Sequence, residues 1–171
     1  MKLLDVKSKT KLEAVQEVAE YFIGSGYKII DMDLRRPWGF YFYFDPNQTS
    51  KFAKEFFDNV KLEGIDTALP LQPKVLVFEP NKRVSWQYHN RRSEIWRCIT
   101  TDCTVITSKT DEPGPTKLIK YGDVTNFTKG LRHRGGANSD WGAVAEIWQH
   151  TDPQNPSNEE DIVRLQDDFG R

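Results

Sequence analysis

Ser85-Trp86-Gln87-Tyr88-His89-Asn90-Arg91-Arg92-Ser93-Glu94-Ile95-Trp96 is the most informative stretch of this 171-residue chain. Gln87 and His89 stand two residues apart, so on a strand their side chains share one face. Glu94 follows after a short polar break. His133 closes a second segment, Gly130-Leu131-Arg132-His133, far downstream. Imidazole nitrogen and carboxylate oxygen suit divalent transition metals, and a site with few protein ligands leaves room for substrate oxygens. The chain has three histidines in all, so two of them in such settings carry weight. One His beside one Glu, taken alone, favours ordinary structure; spacing and flanking residues make the difference.

Outward from that stretch, the chain from Lys74 onward reads as short β-segments at 74–79, 83–88, 94–100, 104–108, 116–120, 124–127 and 143–149. Turn chemistry separates them: Glu79-Pro80-Asn81, Asp111-Glu112-Pro113-Gly114-Pro115, Tyr121-Gly122-Asp123 and Arg134-Gly135-Gly136. Strands at such regular spacing predict an all-β sandwich or barrel. Upstream, Leu12, Val15, Val18, Ala19, Phe22 and Ile23 recur at helical spacing. Thr10 with Glu13 makes a capping box, and Gly24 and Gly26 end that helix. A strand over 27–33, a turn at Arg35-Arg36-Pro37-Trp38-Gly39 and an aromatic strand over 40–44 follow. Residues 50–60 read as a second helix capped by Ser50 and inserted between strands. After a polar loop at 152–157, Asn158-Glu159-Glu160-Asp161 caps a short C-terminal helix or turn ending at Phe169-Gly170.

Composition narrows the function. Twenty-four basic and 25 acidic residues leave a formal net charge of −1. That balance gives no support to a nucleic-acid partner or an acidic membrane, which call for a basic excess. No run approaches the roughly 20 apolar residues of a membrane span. Met1-Lys2-Leu3-Leu4-Asp5 is charged too early for a signal-peptide apolar region, so the expected location is cytoplasmic. Cys98 and Cys103 flank a turn at Thr101-Asp102 and read as buried thiols rather than a disulfide.

Three ordered passages resemble the cupin superfamily, and within it the type II mannose-6-phosphate isomerase (phosphomannose isomerase) domain. Arg36-Pro37-Trp38-Gly39 is similar to that family's opening Arg-Pro-Trp-Gly. The stretch 85–96 is similar to its Ser-x-Gln-x-His-(…)-Arg-x-Glu-His-Trp signature. The tail 159–171 follows its Asp-Asp-Ile-Val-Arg-Leu-Glu-Asp-x-x-Gly-Arg ending. Departures include Asn81 for a turn Gly, Thr101 for the Gly closing the first motif, and Thr128-Lys129-Gly130 for Pro-x-Gly. The resemblance implies a double-stranded β-helix (cupin, or jelly-roll) barrel over 35–171 with a helical insertion at about 45–72. The helix and strand of 1–34 are then an appendage. It implies a metal-dependent aldose–ketose isomerase of a phosphorylated sugar, with mannose 6-phosphate to fructose 6-phosphate as the leading reaction. Zinc or another divalent transition metal is then held by Gln87, His89, Glu94 and His133, and a homodimer is a further implication.

Aldose–ketose isomerisation moves a proton between two carbons through a cis-enediol, so it needs a base and a stabiliser of developing negative charge. Arg92, two residues before Glu94, shares its face and is the candidate oxyanion stabiliser; an ion pair in the barrel rim is the alternative. Glu146 lies among apolar residues on a late strand, where burial raises a carboxyl pKa into the range useful for proton transfer. A buried structural hydrogen bond suits it equally, and His150 is a second candidate at the start of a polar loop. Phosphate calls for cationic donors, and the candidates are Lys74, Arg36, Arg132, Arg164 and Arg171, with Arg91 and Arg134 also available. Arg164, between Asp161 and Asp168, reads just as well as a salt-bridging residue. The competing function is a non-catalytic sugar-phosphate-binding or sensing cupin.

Overall fold

The structure, a computed structural model, describes residues 2–58 and 71–170. Helix α1 (Lys11–Gly24) opens with the expected capping box: Thr10 accepts from the Glu13 amide, and Glu13 reaches back to the Thr10 amide. The helix turns Ala14, Val18 and Phe22 inward. Strands β1 (Ile29–Asp33) and β2 (Gly39–Phe44) pair antiparallel. Every residue of β2 is buried, because both faces of its sheet are covered. Phe40, Phe42 and Phe44 join a core with α1 and helix α2 (Thr49–Phe57), while Tyr41 and Tyr43 face the barrel interior. Phe22 lies 4.8 Å from Phe44, and Phe52 lies 4.6 Å from Phe56, between ring centroids.

The second helix does not start at a Ser50 cap. A 3-10 turn, Pro46–Gln48, precedes it, and Asp45 caps that turn by accepting from the Asn47 amide. Asp45-Pro46 is the stronger start signal, since the carboxylate satisfies a free amide and proline presets φ. Ser50 is therefore inside the helix. The helix ends at Phe57, and residues 59–70 of the expected insertion lie outside the described residues.

The remaining strands are β3 (Leu71–Phe78), β4 (Trp86–Tyr88), β5 (Arg92–Cys98), β6 (Asp102–Ser108), β7 (Lys117–Lys120), β8 (Val124–Phe127), β9 (Arg132–Gly136), β10 (Gly142–His150) and β11 (Val163–Gln166). Among the described residues they form two antiparallel sheets, ordered β1-β2-β3-β10-β5-β8 and β11-β4-β9-β6-β7. The predicted all-β jelly-roll barrel is thus the observed architecture. Asn81, expected to stand in for a turn glycine, has φ of 60°. Cys98 and Cys103 are free and buried, both within reach of Thr100 Oγ1. No helix among the described residues is long and apolar enough to cross a membrane.

Two further readings need correction. Arg134-Gly135-Gly136 is strand, the end of β9, and not a turn. Its glycines answer to packing: a Cβ on Gly135 would lie 2.4 Å from the Trp96 ring, and one on Gly136 would lie 2.6 Å from Arg83 Cβ. The tail is not a helix or turn through to Phe169 either. Val163 and Arg164 pair with Tyr88 and Gln87, so β11 fills the edge of β4 that would otherwise offer unpaired amides and carbonyls.

Alternation positions the interior. Tyr43, Lys74, Glu146 and Trp96 are successive cross-strand neighbours on β2, β3, β10 and β5. One pleat further along the same face, Trp148 stands opposite Glu94, and Glu94 opposite Phe127.

Candidate metal centre and adjoining cavity

Gln87 and His133 are direct partners between β4 and β9, and His89 follows just beyond the end of β4. Glu94 comes from β5 in the other sheet, so the cluster closes only across the barrel. Glu94 Oε1 lies 3.2 Å from His89 Nε2, and Oε2 lies 3.4 Å from His133 Nε2. The three side chains are buried, and their donor atoms all fall within 4.8 Å of one another, close enough to hold a metal ion. Each imidazole is oriented from behind. His89 Nδ1 lies 2.5 Å from the Asp161 carbonyl, and His133 Nδ1 lies 3.0 Å from the Leu131 carbonyl. With Nδ1–H donating to a carbonyl, each Nε2 presents a lone pair toward Glu94, the arrangement that fixes a metal-binding tautomer.

The donors fit a divalent cation by a second criterion. Glu94 Oε2 and His133 Nε2 are buried and make no hydrogen bond. Buried polar atoms are ordinarily paired, and an ion between these two would satisfy both. Gln87 is buried beside them, its Oε1 accepting from Ser85 Oγ at 2.6 Å. Burial keeps His89 neutral by lowering its pKa, outweighing the pull of Glu94. Burial also opposes charge on Glu94, yet His89 and then Arg92 beside it hold its carboxyl well below the usual range. Arg92 Nε donates to Glu94 Oε1 at 2.7 Å, and its Nη2 lies 3.2 Å from His89 Nε2. The same guanidinium packs 4.0 Å above the Trp148 ring.

Beside the triad is a cavity of about 50 Å³, lined among others by Gln87, Glu94, Arg92, Glu146, Lys74, Arg36 and Arg164. Glu146 is buried, accepting at Oε1 from Trp96 Nε1 at 3.2 Å and leaving Oε2 unpartnered. Burial, reinforced by the Glu94 charge, pushes its pKa up to about 8. Across the pleated face, Lys74 Nζ sits 3.9 Å from the Tyr41 ring centroid and pairs with Glu159 Oε1 at 2.8 Å. Tyr43 also donates to Glu159. Arg36 Nε pairs with Asp33 at 2.9 Å, and its Nη2 lies 3.8 Å from Glu159 Oε2.

No family model and no curated protein matches the chain. Solved structures do. The chain is similar to vicilin from Solanum lycopersicum (tomato), with 15% identity and a TM-score of 0.50 over 73% of this chain and 32% of that one. The likeness is one of fold, a jelly-roll (cupin-type) barrel of two antiparallel sheets. KdgF from Halomonas sp. matches with 14% identity and a TM-score of 0.43 over 53% of this chain and 73% of that one. The DMSP lyase DddQ from Ruegeria pomeroyi DSS-3 gives 14% and 0.42 over 53% of this chain, which spans 44% of the lyase. At such identities the likeness extends to the fold.

On this barrel the sequence-derived candidates divide. Gln87, His89, Glu94, His133, Arg92, Glu146, Lys74, Arg36 and Arg164 converge on the triad or its cavity. Arg132 does not line the cavity. Because His133 points inward, its neighbour on β9 points out, and Arg132 pairs with Asp111 at 2.6 Å over the Tyr88 ring. Arg91 braces the loop after β10 through Asn155, Pro156 and Asn158, and Arg134 donates to the Gln166 carbonyl. His150 Nδ1 accepts from the Ser157 amide, a structural bond outside the cavity lining. Arg171 lies outside the described residues. The sequence reading missed Glu159, Tyr41 and Tyr43. The tyrosines were legible as one face of an aromatic strand; nothing local marks Glu159 apart from Glu160.

Proposed function

We propose that the chain is a metal-dependent aldose–ketose isomerase of a phosphorylated sugar, with mannose 6-phosphate to fructose 6-phosphate as the leading reaction and a cytoplasmic setting. One observation carries this reading: a cavity that joins a His–Glu–His metal-capable cluster to an unpartnered carboxyl oxygen on Glu146 and to buried cationic side chains. Gln87, His89, Glu94 and His133 would hold the cation, zinc or a similar divalent metal. Such an ion supplies Lewis acidity toward the sugar's carbonyl and hydroxyl oxygens.

The chain's own residues account for the rest. Glu146, ionised, takes the proton from the aldose C2 and returns it to C1, while the O2 proton passes to the C1 oxygen. A carboxyl pKa near 8 allows it to act in both directions near neutral pH. The Arg92 guanidinium faces the same space and opposes the negative charge that develops on oxygen. Lys74, Arg36 and Arg164 give the cavity lining the cationic character that a phosphate requires.

His89→Ala and His133→Ala proteins should lose bound metal on elemental analysis together with aldose–ketose exchange. Turnover that survives in metal-free protein rejects the mechanism. A non-catalytic sugar-phosphate-binding cupin is supported by one feature: Arg92 already satisfies Glu94 Oε1 and His89 Nε2, two of the atoms a cation needs. Saturable binding of the sugar phosphate, without solvent-deuterium incorporation by NMR, would favour that second reading.

A further inference from the structure

Glu159 is an unusual partner for a buried cation. Lys74 is 5% exposed and surrounded by the rings of Tyr41, Tyr43 and Trp148, with Nζ 3.9, 4.7 and 5.5 Å from their centroids. A desolvated ammonium is costly without an anion beside it. Among the described residues its one ion-pair partner is Glu159, which belongs neither to a strand nor to a helix but to the loop between β10 and β11. The Glu159 side chain remains 37% exposed while making this pair. Its loop is pinned on both sides. Ser157 bonds Arg92 and Asp161, and Asp161 accepts the Asn90 and Arg91 amides at 3.0 and 2.9 Å. Between those pins the side chain can swing into solvent by rotating about its own bonds, with the loop left in place.

The cavity gives that rotation a purpose. Its volume of about 50 Å³ has room for a few waters and no hexose phosphate. Glu159 lines it, and among the lining carboxylates it is the one that is partly exposed to solvent. Its pKa is drawn down to about 2, since Lys74 and Tyr43 outweigh the opposing effect of burial, so it is an anion at any ordinary pH.

We infer that Lys74 and Arg36, backed by Tyr41 and Tyr43, form an anion-binding subsite that Glu159 fills as an internal stand-in, and that a phosphate-bearing ligand enters by displacing the Glu159 carboxylate. The phosphate identity rests on the sugar-phosphate reading; the displacement does not. A phosphate oxygen bonded to Lys74 Nζ takes the place of Glu159 Oε1, and the freed carboxylate turns outward to water.

Inorganic phosphate is the probe, titrated calorimetrically into the full-length protein. Glu159→Gln should bind it at least 10-fold more tightly than the parent, and Lys74→Met should abolish binding in both backgrounds. Equal or weaker phosphate affinity in E159Q overturns the inference. Should E159Q fold poorly, Glu159→Ala is melted with and without phosphate. A phosphate-induced rise in Tm larger than that of the parent supports displacement, and an equal or smaller rise overturns it. Loss of isomerase activity is a separate result: a protein that binds phosphate in this Glu159-dependent way but turns over no sugar phosphate refutes the enzymatic reading and leaves the subsite standing.

Discussion

Glu146 and Glu159 share a cavity and are driven to opposite protonation states by their neighbours. Burial holds Glu146 protonated, with a pKa near 8, whereas Lys74 and Tyr43 hold Glu159 ionised, with a pKa near 2. The two therefore tilt stability with pH in opposite senses. For Glu146 the folded value is raised above 4.5, so its contribution is complete below about pH 4.5 and is lost as pH climbs toward about 8. For Glu159 the folded value is depressed, so its contribution is present above about pH 4.5 and fades as pH falls toward about 2. Urea titrations across pH should show the first slope disappear in Glu146→Gln and the second in Glu159→Gln; identical pH profiles for parent and variants contradict these environments. If Glu146 is the base, turnover of the parent should rise through about pH 8 as the carboxylate forms. Glu146→Gln should then abolish turnover at every pH while metal content holds, checked by elemental analysis on the same samples.

Among the elements, β9 is the one whose residues least resemble its structure. Gly135 is there because Trp96, fully buried, occupies the space of its Cβ. That tryptophan in turn bonds Glu146 and meets the edge of His133 at 5.7 Å, so β9 must approach β5 closely for the site to exist. Gly135→Ala should cost about 1–3 kcal/mol in a urea unfolding titration, the range for overpacking a filled interior. Helix α1 is the contrasting case. Its capping box is written locally in Thr10 and Glu13, and Thr10→Ala should cost roughly 1 kcal/mol in the same measurement, with no change in metal binding.

At the scale of the molecule, the six-stranded sheet separates two kinds of interior. Its outer face is an aromatic core shared with α1 and α2, and its inner face carries Lys74, Glu146 and Glu94 among rings. Covering the outer face with helices lets one sheet be buried on both sides while its inner face bears charge. Metal binding should couple to the stability of this whole unit, because Glu94 and the histidines belong to different sheets. Zinc at 100-fold over its Kd should stabilise the parent by about 2.7 kcal/mol and leave His133→Ala unmoved, read as a shift in thermal midpoint.

The strands β3 to β8 and β10, the capped first helix and the four donor types were legible in the chain, because alternation, capping and donor chemistry are properties of neighbours in sequence. The β9 glycines and the tail were not. Gly135-Gly136 carries the same letters as a turn and differs only in having Trp96 and Arg83 against it, and 163–166 becomes a strand because the edge of β4 is open to it. The site divides along the same line. Gln87, His89 and Glu94 stand close together in the chain, and it was the resemblance to a known family that joined the distant His133 to them as a set. That Arg132 points away, that Arg92 rests on the metal-capable atoms and that Glu159 rather than Glu160 reaches Lys74 are matters of which side chains meet across a barrel. Those meetings depend on the register of strands distant in sequence, which no short window of residues specifies.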